Sequence, residues 1–77
     1  MISNGANWSF IMSQFIKVKI KDKGEVLGIA VQQYEVGLYV CIYQNGRMVD
    51  QFGSDLTQEV FVEKLKQDDN LEIISLN

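Results

Sequence analysis

The sequence contains no histidine and only one cysteine, Cys41. Without histidine, the chain lacks the side chain that most often serves as general acid or base near neutral pH. A single cysteine excludes an internal disulfide and a cysteine-clustered zinc site, and it fits a reducing, cytoplasmic setting. Because no evident base activates it, Cys41 is interpreted as a small hydrophobic residue. We therefore expect a protein that is not an enzyme, with no catalytic residue, metal or cofactor.

Long apolar runs and a basic N-terminal start are also missing. Residues 1–11 lack the pattern of a signal peptide, and no segment approaches the roughly 20 apolar residues that cross a bilayer. The net charge of −3 gives no overall attraction to phosphate, so a nucleic-acid role would need a local basic patch. We expect a soluble cytoplasmic protein with no membrane partner.

The length of the chain limits how much surface it buries. Its 77 residues, 47% of them apolar and 22% charged, predict a globular chain with one core. A chain this short buries only about 60 to 65% of its unfolded surface, which leaves room for a homodimer or another partner. Residues 1–12 are assigned to an N-terminal extension or cover segment, and residues 13–77 to a single α+β domain.

Alternation of aliphatic and polar residues predicts antiparallel strands. Ile16, Val18 and Ile20 alternate with lysines, which is typical of a strand with one wet face. A two-residue Lys23-Gly24 loop and a four-residue loop over residues 34–37 then connect the first three strands.

The dipeptide Asn45-Gly46 predicts a two-residue type I′ hairpin between the third and fourth strands. The register that follows has four expected pairs: Ile42 with Val49, Tyr43 with Met48, Cys41 with Asp50, and Tyr39 with Phe52. With the two earlier loops, this register collects the branched aliphatic residues on one face of the sheet. A slip of one residue would scatter them over both faces.

A helix and a fifth strand are predicted after these four strands. The helix begins at an N-cap that is either Asp55 or Thr57 and continues to about residue 67. We expect three of its apolar side chains to cover the aliphatic face: Leu56, Val60 and Leu65. Residues 71–76 form a last strand, beside either the first or the fourth strand. The fold class is therefore α+β, a four-stranded antiparallel meander with one helix on one face, in the order ββββαβ.

The face opposite to the helix is too apolar for an ordinary solvent face. Its predicted members are Lys17, Lys19, Lys21, Val26, Gly28, Ala30, Tyr39, Cys41, Tyr43, Met48, Asp50 and Phe52. The small residues of the second strand form a shallow trough between the lysines and the tyrosines, which suits a flat partner. The partner-binding residues predicted here are Tyr39, Tyr43, Met48, Phe52, Lys17, Lys19 and Lys21.

Three interpretations of this face follow from the sequence. Trp8, Phe10 and Ile11 cover it from within the chain, a second copy pairs through it, or a different protein binds it. The leading hypothesis is a small non-enzymatic interaction domain, such as an inhibitor, an immunity-type protein or an accessory subunit. It would bind a protein partner or its own copy through this face or an open strand edge. The alternative is a weak single-stranded nucleic-acid-binding domain, in which tyrosines stack on bases and lysines hold phosphates.

Overall fold

The computed structural model describes residues 10–77, in which five antiparallel strands form one sheet and one helix packs on it. The elements are β1 (Phe10–Ile20), β2 (Glu25–Tyr34), β3 (Gly37–Gln44), β4 (Arg47–Ser54), α1 (Gln58–Gln67) and β5 (Leu71–Leu76). The strand order across the sheet is β4-β3-β2-β1-β5. The predicted α+β class and the order ββββαβ are thus confirmed, and β5 takes the position beside β1. Among these residues, no helix has the length and apolar character needed to span a membrane.

The core lies between the sheet and α1. Side chains alternate between the two faces of each strand, and the aliphatic set of β1, β2 and β3 points toward the helix. The buried hydrophobic residues are Ile16, Val18, Ile29, Val31, Leu38, Val40 and Val62. Removal of this apolar surface from water supplies the main driving force for folding and holds the sheet against the helix.

β1 begins earlier than the first strand that the sequence predicts. Phe10 pairs with Tyr34, and a bulge separates Phe10 from Met12, so residues 10–12 of the predicted extension belong to the sheet. Ile11, one of the three predicted covering residues, lies in β1 and remains exposed. Trp8 and the side chain of Phe10 lie outside the described part of the chain.

The register of the first hairpin differs from the prediction by two residues. A four-residue turn over residues 21–24 replaces the predicted two-residue Lys23-Gly24 loop, and Ile16 pairs with Ile29 instead of Val31. The face of each side chain is unchanged, because a shift of two residues preserves the alternation. Lys21 is placed in this turn and not in β1, which corrects its assignment to the sheet face.

The second hairpin has the predicted register, with Val31 opposite Val40. Gly37 opens β3 with φ of +144°, and a Cβ atom there would lie 2.5 Å from the carbonyl oxygen of Ser54. This close approach to a backbone atom of β4 requires glycine, since neither the φ angle nor the carbonyl accommodates a side chain.

The third hairpin confirms the predicted turn and part of the predicted register. Asn45 and Gly46 both have positive φ, 54° and 76°, as a type I′ turn requires. Tyr43 pairs with Met48 as predicted, but a bulge follows, and Val49 is the extra residue.

Beyond the bulge, every predicted pair of β3 with β4 is wrong by one residue. The observed pairs are Ile42 with Asp50, Cys41 with Gln51, Val40 with Phe52, and Tyr39 with Gly53. Directly opposed residues share one face of a sheet, so Asp50 and Phe52 lie on the helix side. The ring of Phe52 packs 6.5 Å from that of Phe61, whereas Val49 is 51% exposed. Phe52 is therefore removed from the predicted partner-binding face.

The N-cap of α1 is Thr57, one of the two predicted residues. Its side-chain oxygen accepts a hydrogen bond from the backbone N–H of Val60 at 3.2 Å. The expected role of Val60 in covering the sheet is wrong, because this side chain is exposed and Val62 is buried instead. The half-buried residues Leu56 and Leu65 pack against the core as expected.

Three glutamines connect the start of α1 to the sheet. Gln58 is only 6% exposed; its side-chain Nε2 donates to Oε1 of Gln14 at 2.9 Å, and its backbone N–H donates to Oε1 of Gln33 at 2.7 Å. The Oε1 atom of Gln58 is buried and has no hydrogen-bond partner. The Gln33 contact satisfies one of the N–H groups that a helix leaves unpaired in its first turn.

We expect Gly37→Ala to lower the free energy of unfolding by about 1–3 kcal/mol, because it forces a strained φ and a backbone collision. Gly53→Ala is the matched control: its Cβ would meet only the Leu38 carbonyl oxygen at 3.6 Å, an ordinary contact. Urea titration of both variants gives the comparison. Equal losses would contradict the role assigned to Gly37.

Gln33→Met should destabilise the fold by about 1–2 kcal/mol, because it leaves the buried N–H of Gln58 without an acceptor. Gln58→Met removes one hydrogen bond but also an unpartnered buried oxygen, so we expect a change of less than about 1 kcal/mol. Thermal and urea unfolding of the two variants, which carry the same substitution on opposite sides of one contact, test this. A larger loss for Gln58→Met would refute the assignment.

Candidate interaction surface

The side of the sheet opposite to α1 is called the open face. Strand pairing places many residues of β1 to β4 on it, among them Ser13, Phe15, Lys17, Lys19, Val26, Gly28, Ala30, Gln32, Tyr34, Gly37, Tyr39, Cys41, Tyr43, Met48, Gln51 and Gly53. Four of its large apolar side chains retain between 36% and 46% of their accessible surface: Phe15, Val26, Tyr39 and Met48. The helix covers the other face, so the open face combines apolar character with accessibility.

Five of the seven predicted partner-binding residues lie together on the open face. They are Lys17 and Lys19 of β1, Tyr39 and Tyr43 of β3, and Met48 of β4. Phe52 points to the helix side, and Lys21 belongs to the turn after β1. Their role in binding stays a prediction.

Phe15 is the main residue that the sequence analysis missed. It pairs with Ala30, and the tip of its ring leans over Gly28, so closely that a Cβ atom on Gly28 would lie 2.5 Å from the ring carbon Cζ. The absence of a side chain at Gly28 therefore makes room for the ring. The alternation itself was the available signal: Phe15 precedes Ile16 and shares the face of Lys17.

A hollow of about 390 Å³ opens beside this ring. Side chains of β1, β2 and β3 and the turn after β3 line it: Phe15, Lys17, Val26, Gly28, Tyr43, Asn45 and Gly46. Lys17 and Tyr43 flank Gly28 directly in the neighbouring strands, so the hollow lies beside the Phe15 ring and extends over β1, β2 and β3. We refer to it as the Gly28 hollow.

Tyr39 and its neighbours form a small polar group on the same face. The Tyr39 hydroxyl donates a hydrogen bond to Oε1 of Gln51 across the β3–β4 pair. A hydrogen bond with the Cys41 side chain, with desolvation and the charges of Cys41, Tyr43 and Tyr34, raises the pKa of Tyr39 above its ordinary 10.0. The phenol is therefore uncharged at neutral pH and presents a ring with a polar tip, a combination common at protein interfaces.

The charge of the open face differs in sign from that of the whole chain. Lys17 and Lys19 lie on it, and neither forms an ion pair among residues 10–77; the ion pair seen there joins Lys66 to Glu63 on α1. The nearest acidic residue in the strand order is Glu72 of β5, which pairs with Lys19 at the far side of β1 from the Gly28 hollow. The face is thus locally basic within a chain of net charge −3.

The open face carries few side chains that could take part in catalysis. Cys41 is half-buried in the middle of β3, and the chain has no histidine to activate it. In the described part of the chain, no three acidic, cysteine or histidine side chains are grouped closely enough to hold a metal ion. What the arrangement offers is a partly aromatic sheet surface with a shallow hollow, which suits non-covalent binding.

A double-mutant cycle tests the contact between Phe15 and Gly28. Gly28→Ala alone should displace the ring and lower stability slightly, whereas in the Phe15→Ala background it should be neutral or stabilising by about 0.5–1 kcal/mol, since alanine is the better strand residue. Urea titration of the four proteins measures the coupling. Additive effects would show that the ring does not depend on the open space at Gly28.

Comparisons with known proteins add no further constraint on this surface. A scan of protein-family models, a search of curated proteins and a search of solved structures each found no match to this chain.

Proposed function

We propose that this chain is a small non-enzymatic interaction domain whose open face binds another protein. The observation that carries the proposal is the cluster of accessible apolar side chains on one side of the sheet, among them Phe15, Val26, Tyr39 and Met48. A solvated face of an antiparallel sheet normally carries polar residues. Exposed apolar side chains grouped on one face often belong to interaction sites in soluble proteins.

The face is a better candidate than the sheet edge formed by β4; the other edge strand is β5. β4 is an edge strand and is exposed along most of its length. However, a bulge at Val49 interrupts its ladder, and Arg47 and Asp50 place charges along it. Bulges and charges are the features that prevent an edge from pairing with another strand. Within residues 10–77, the open face also carries two charges, Lys17 and Lys19, but its β2 and β3 strands present mainly apolar and small side chains.

A different protein is favoured over a second copy of this chain. Two-fold pairing of identical faces would bring the same residues from both copies into one interface. Lys17 and Lys19 would then contribute four positive charges to a shared contact, and like charges disfavour such an interface. Self-association is therefore the competing outcome that the experiment below has to measure.

Nucleic acid is the competing ligand of another class. Lys17 and Lys19 beside Tyr43 resemble a stacking surface with cations. The basic patch has only these two members, however, since Lys21 lies in the turn, and the chain as a whole is acidic. We also propose a reducing, cytoplasmic setting, because Cys41 has no second cysteine with which to form an internal disulfide.

Val26→Glu should abolish partner binding, whereas Val60→Glu should leave it intact. The two valines are a matched pair, 44% and 43% exposed, on the open face and on α1 respectively. The carboxylate introduced at position 26 lies opposite Lys19, and binding would have to desolvate this charge in place of an apolar side chain, which weakens binding by roughly tenfold or more. The immobilised wild-type chain and both variants are used to capture proteins from an extract of the source cells, and the retained proteins are compared.

Three outcomes would contradict the proposal. Equal retention by the two glutamate variants would remove the open face as the binding surface. A dimer mass in light scattering that reverts to a monomer with Val26→Glu alone would assign the face to self-association. A steep loss of the captured partner between about 50 and 200 mM salt, with nucleic acid in the retained material, would indicate phosphate binding instead.

A further inference from the structure

The Gly28 hollow combines apolar walls with a single positive charge. Its apolar surface comes from Phe15, Val26 and Tyr43, and among residues 10–77 its only charged lining residue is Lys17, with no carboxylate in the lining. A group that enters this shallow hollow therefore contacts two rings and an aliphatic side chain and lies near one ammonium group.

Lys17 is available to an incoming negative charge. It forms no ion pair within residues 10–77, and its cross-strand neighbours on the open face are Gly28 on one side and Ser75 on the other, neither of them charged. The nearest acidic residue in the register, Glu72, pairs with Lys19 one position further along the face. The charge of Lys17 is thus unmatched by any residue in the described part of the chain.

We propose that the Gly28 hollow receives an aromatic or large aliphatic side chain of the protein partner, and that a carboxylate next to it in the partner's sequence contacts Lys17. This inference rests on the proposed function and specifies the partner's chemistry: an acidic segment with an apolar anchor. The hollow's volume of about 390 Å³ falls within the range of about 300–1,000 Å³ for sites that take small ligands. Aromatic anchors in such pockets supply much of the affinity of protein interfaces.

The Phe15 ring gives the hollow its shape. Because the ring lies over Gly28, it forms one wall of the hollow, and Asn45 and Gly46 of the turn after β3 also line it. An inserted aromatic ring would pack against Phe15 and Tyr43 in an offset or edge-to-face arrangement, which is the geometry that ring pairs favour.

Titration of the full-length chain with three short peptides tests the inference. The probes are acetyl-Glu-Phe-Glu-amide, acetyl-Glu-Ala-Glu-amide and acetyl-Lys-Phe-Lys-amide, followed by amide chemical shifts in NMR. We expect the first to bind with an affinity near the millimolar range, with shifts concentrated at Gly28, Tyr43 and Gly46. The second and third should bind at least about threefold more weakly, since one lacks the anchor and the other the charge.

Two lysine variants separate the Lys17 contact from general electrostatic attraction. Lys17→Gln should lower the affinity for the Glu-Phe-Glu peptide roughly three- to fivefold, which is the upper end expected for an exposed ion pair. Lys23→Gln removes the same charge from the turn at the end of the first hairpin, away from the hollow, and should leave the affinity unchanged. Equal effects of the two variants would overturn the assignment of Lys17.

Other results would overturn the inference and leave the proposed function standing. Shifts of the Glu-Phe-Glu peptide confined to α1 or β4, with Val26→Glu still abolishing partner capture, would mean that the face binds by other contacts. If a single-stranded thymidine decamer bound at Lys17 more tightly than the Glu-Phe-Glu peptide, the ligand of the hollow would be nucleic acid and not an acidic peptide. A rise in peptide affinity with Trp8→Ala would identify the chain's own N-terminal segment as the occupant.

Discussion

Burial of branched aliphatic residues of β1, β2 and β3 beneath α1 is the constraint on which the remaining structure depends. Successive side chains of a strand point to opposite faces, so burying Ile16 and Val18 places Phe15 and Lys17 on the other side. The packing of the core therefore determines which residues lie on the open face, and α1 packs on the opposite face. Such a surface is preorganised, because the backbone beneath it is held by contacts on the opposite side, and preorganisation lowers the entropy lost on binding.

The sequence could predict which face of the sheet each side chain points to, because a change in pairing register alters the face only when the shift is an odd number of residues. The first hairpin has a longer turn than expected, yet the shift of two residues leaves Ile16 in the core. The turn at Asn45-Gly46 was predictable for another reason: both residues need positive φ, and few dipeptides tolerate it. Local chemistry with a strict steric requirement and an alternation with a period of two were the reliable signals.

The wrong predictions concern two features: a single residue inserted into a strand, and the side of the helix that faces the sheet. The bulge at Val49 adds one residue to β4, which moves Phe52 from the open face to the side that packs against α1. The sequence of β4 contains no residue that would predict this bulge. In α1, the sequence offers apolar residues on more than one side, and the packing geometry selects Val62 and the polar Gln58 over Val60. The Gly28 hollow arises where the ring of Phe15 in β1 lies over a glycine of the neighbouring strand β2, thirteen residues later in the chain, which no local pattern encodes.

Folding alone does not account for the apolar character of the open face. Phe15 and Val26 lie outside the core between the sheet and α1, so polar residues at these positions would leave that core intact. A chain of this length buries only about 60% of its unfolded surface and is marginally stable. A partner that binds only the folded chain, and is present at a free concentration of about 100 times its Kd, adds about 2.7 kcal/mol to the free energy of unfolding. Under the proposed function, contact through the open face would supply recognition and stability together and would account for the aromatic and aliphatic side chains that so short a chain exposes on its second face.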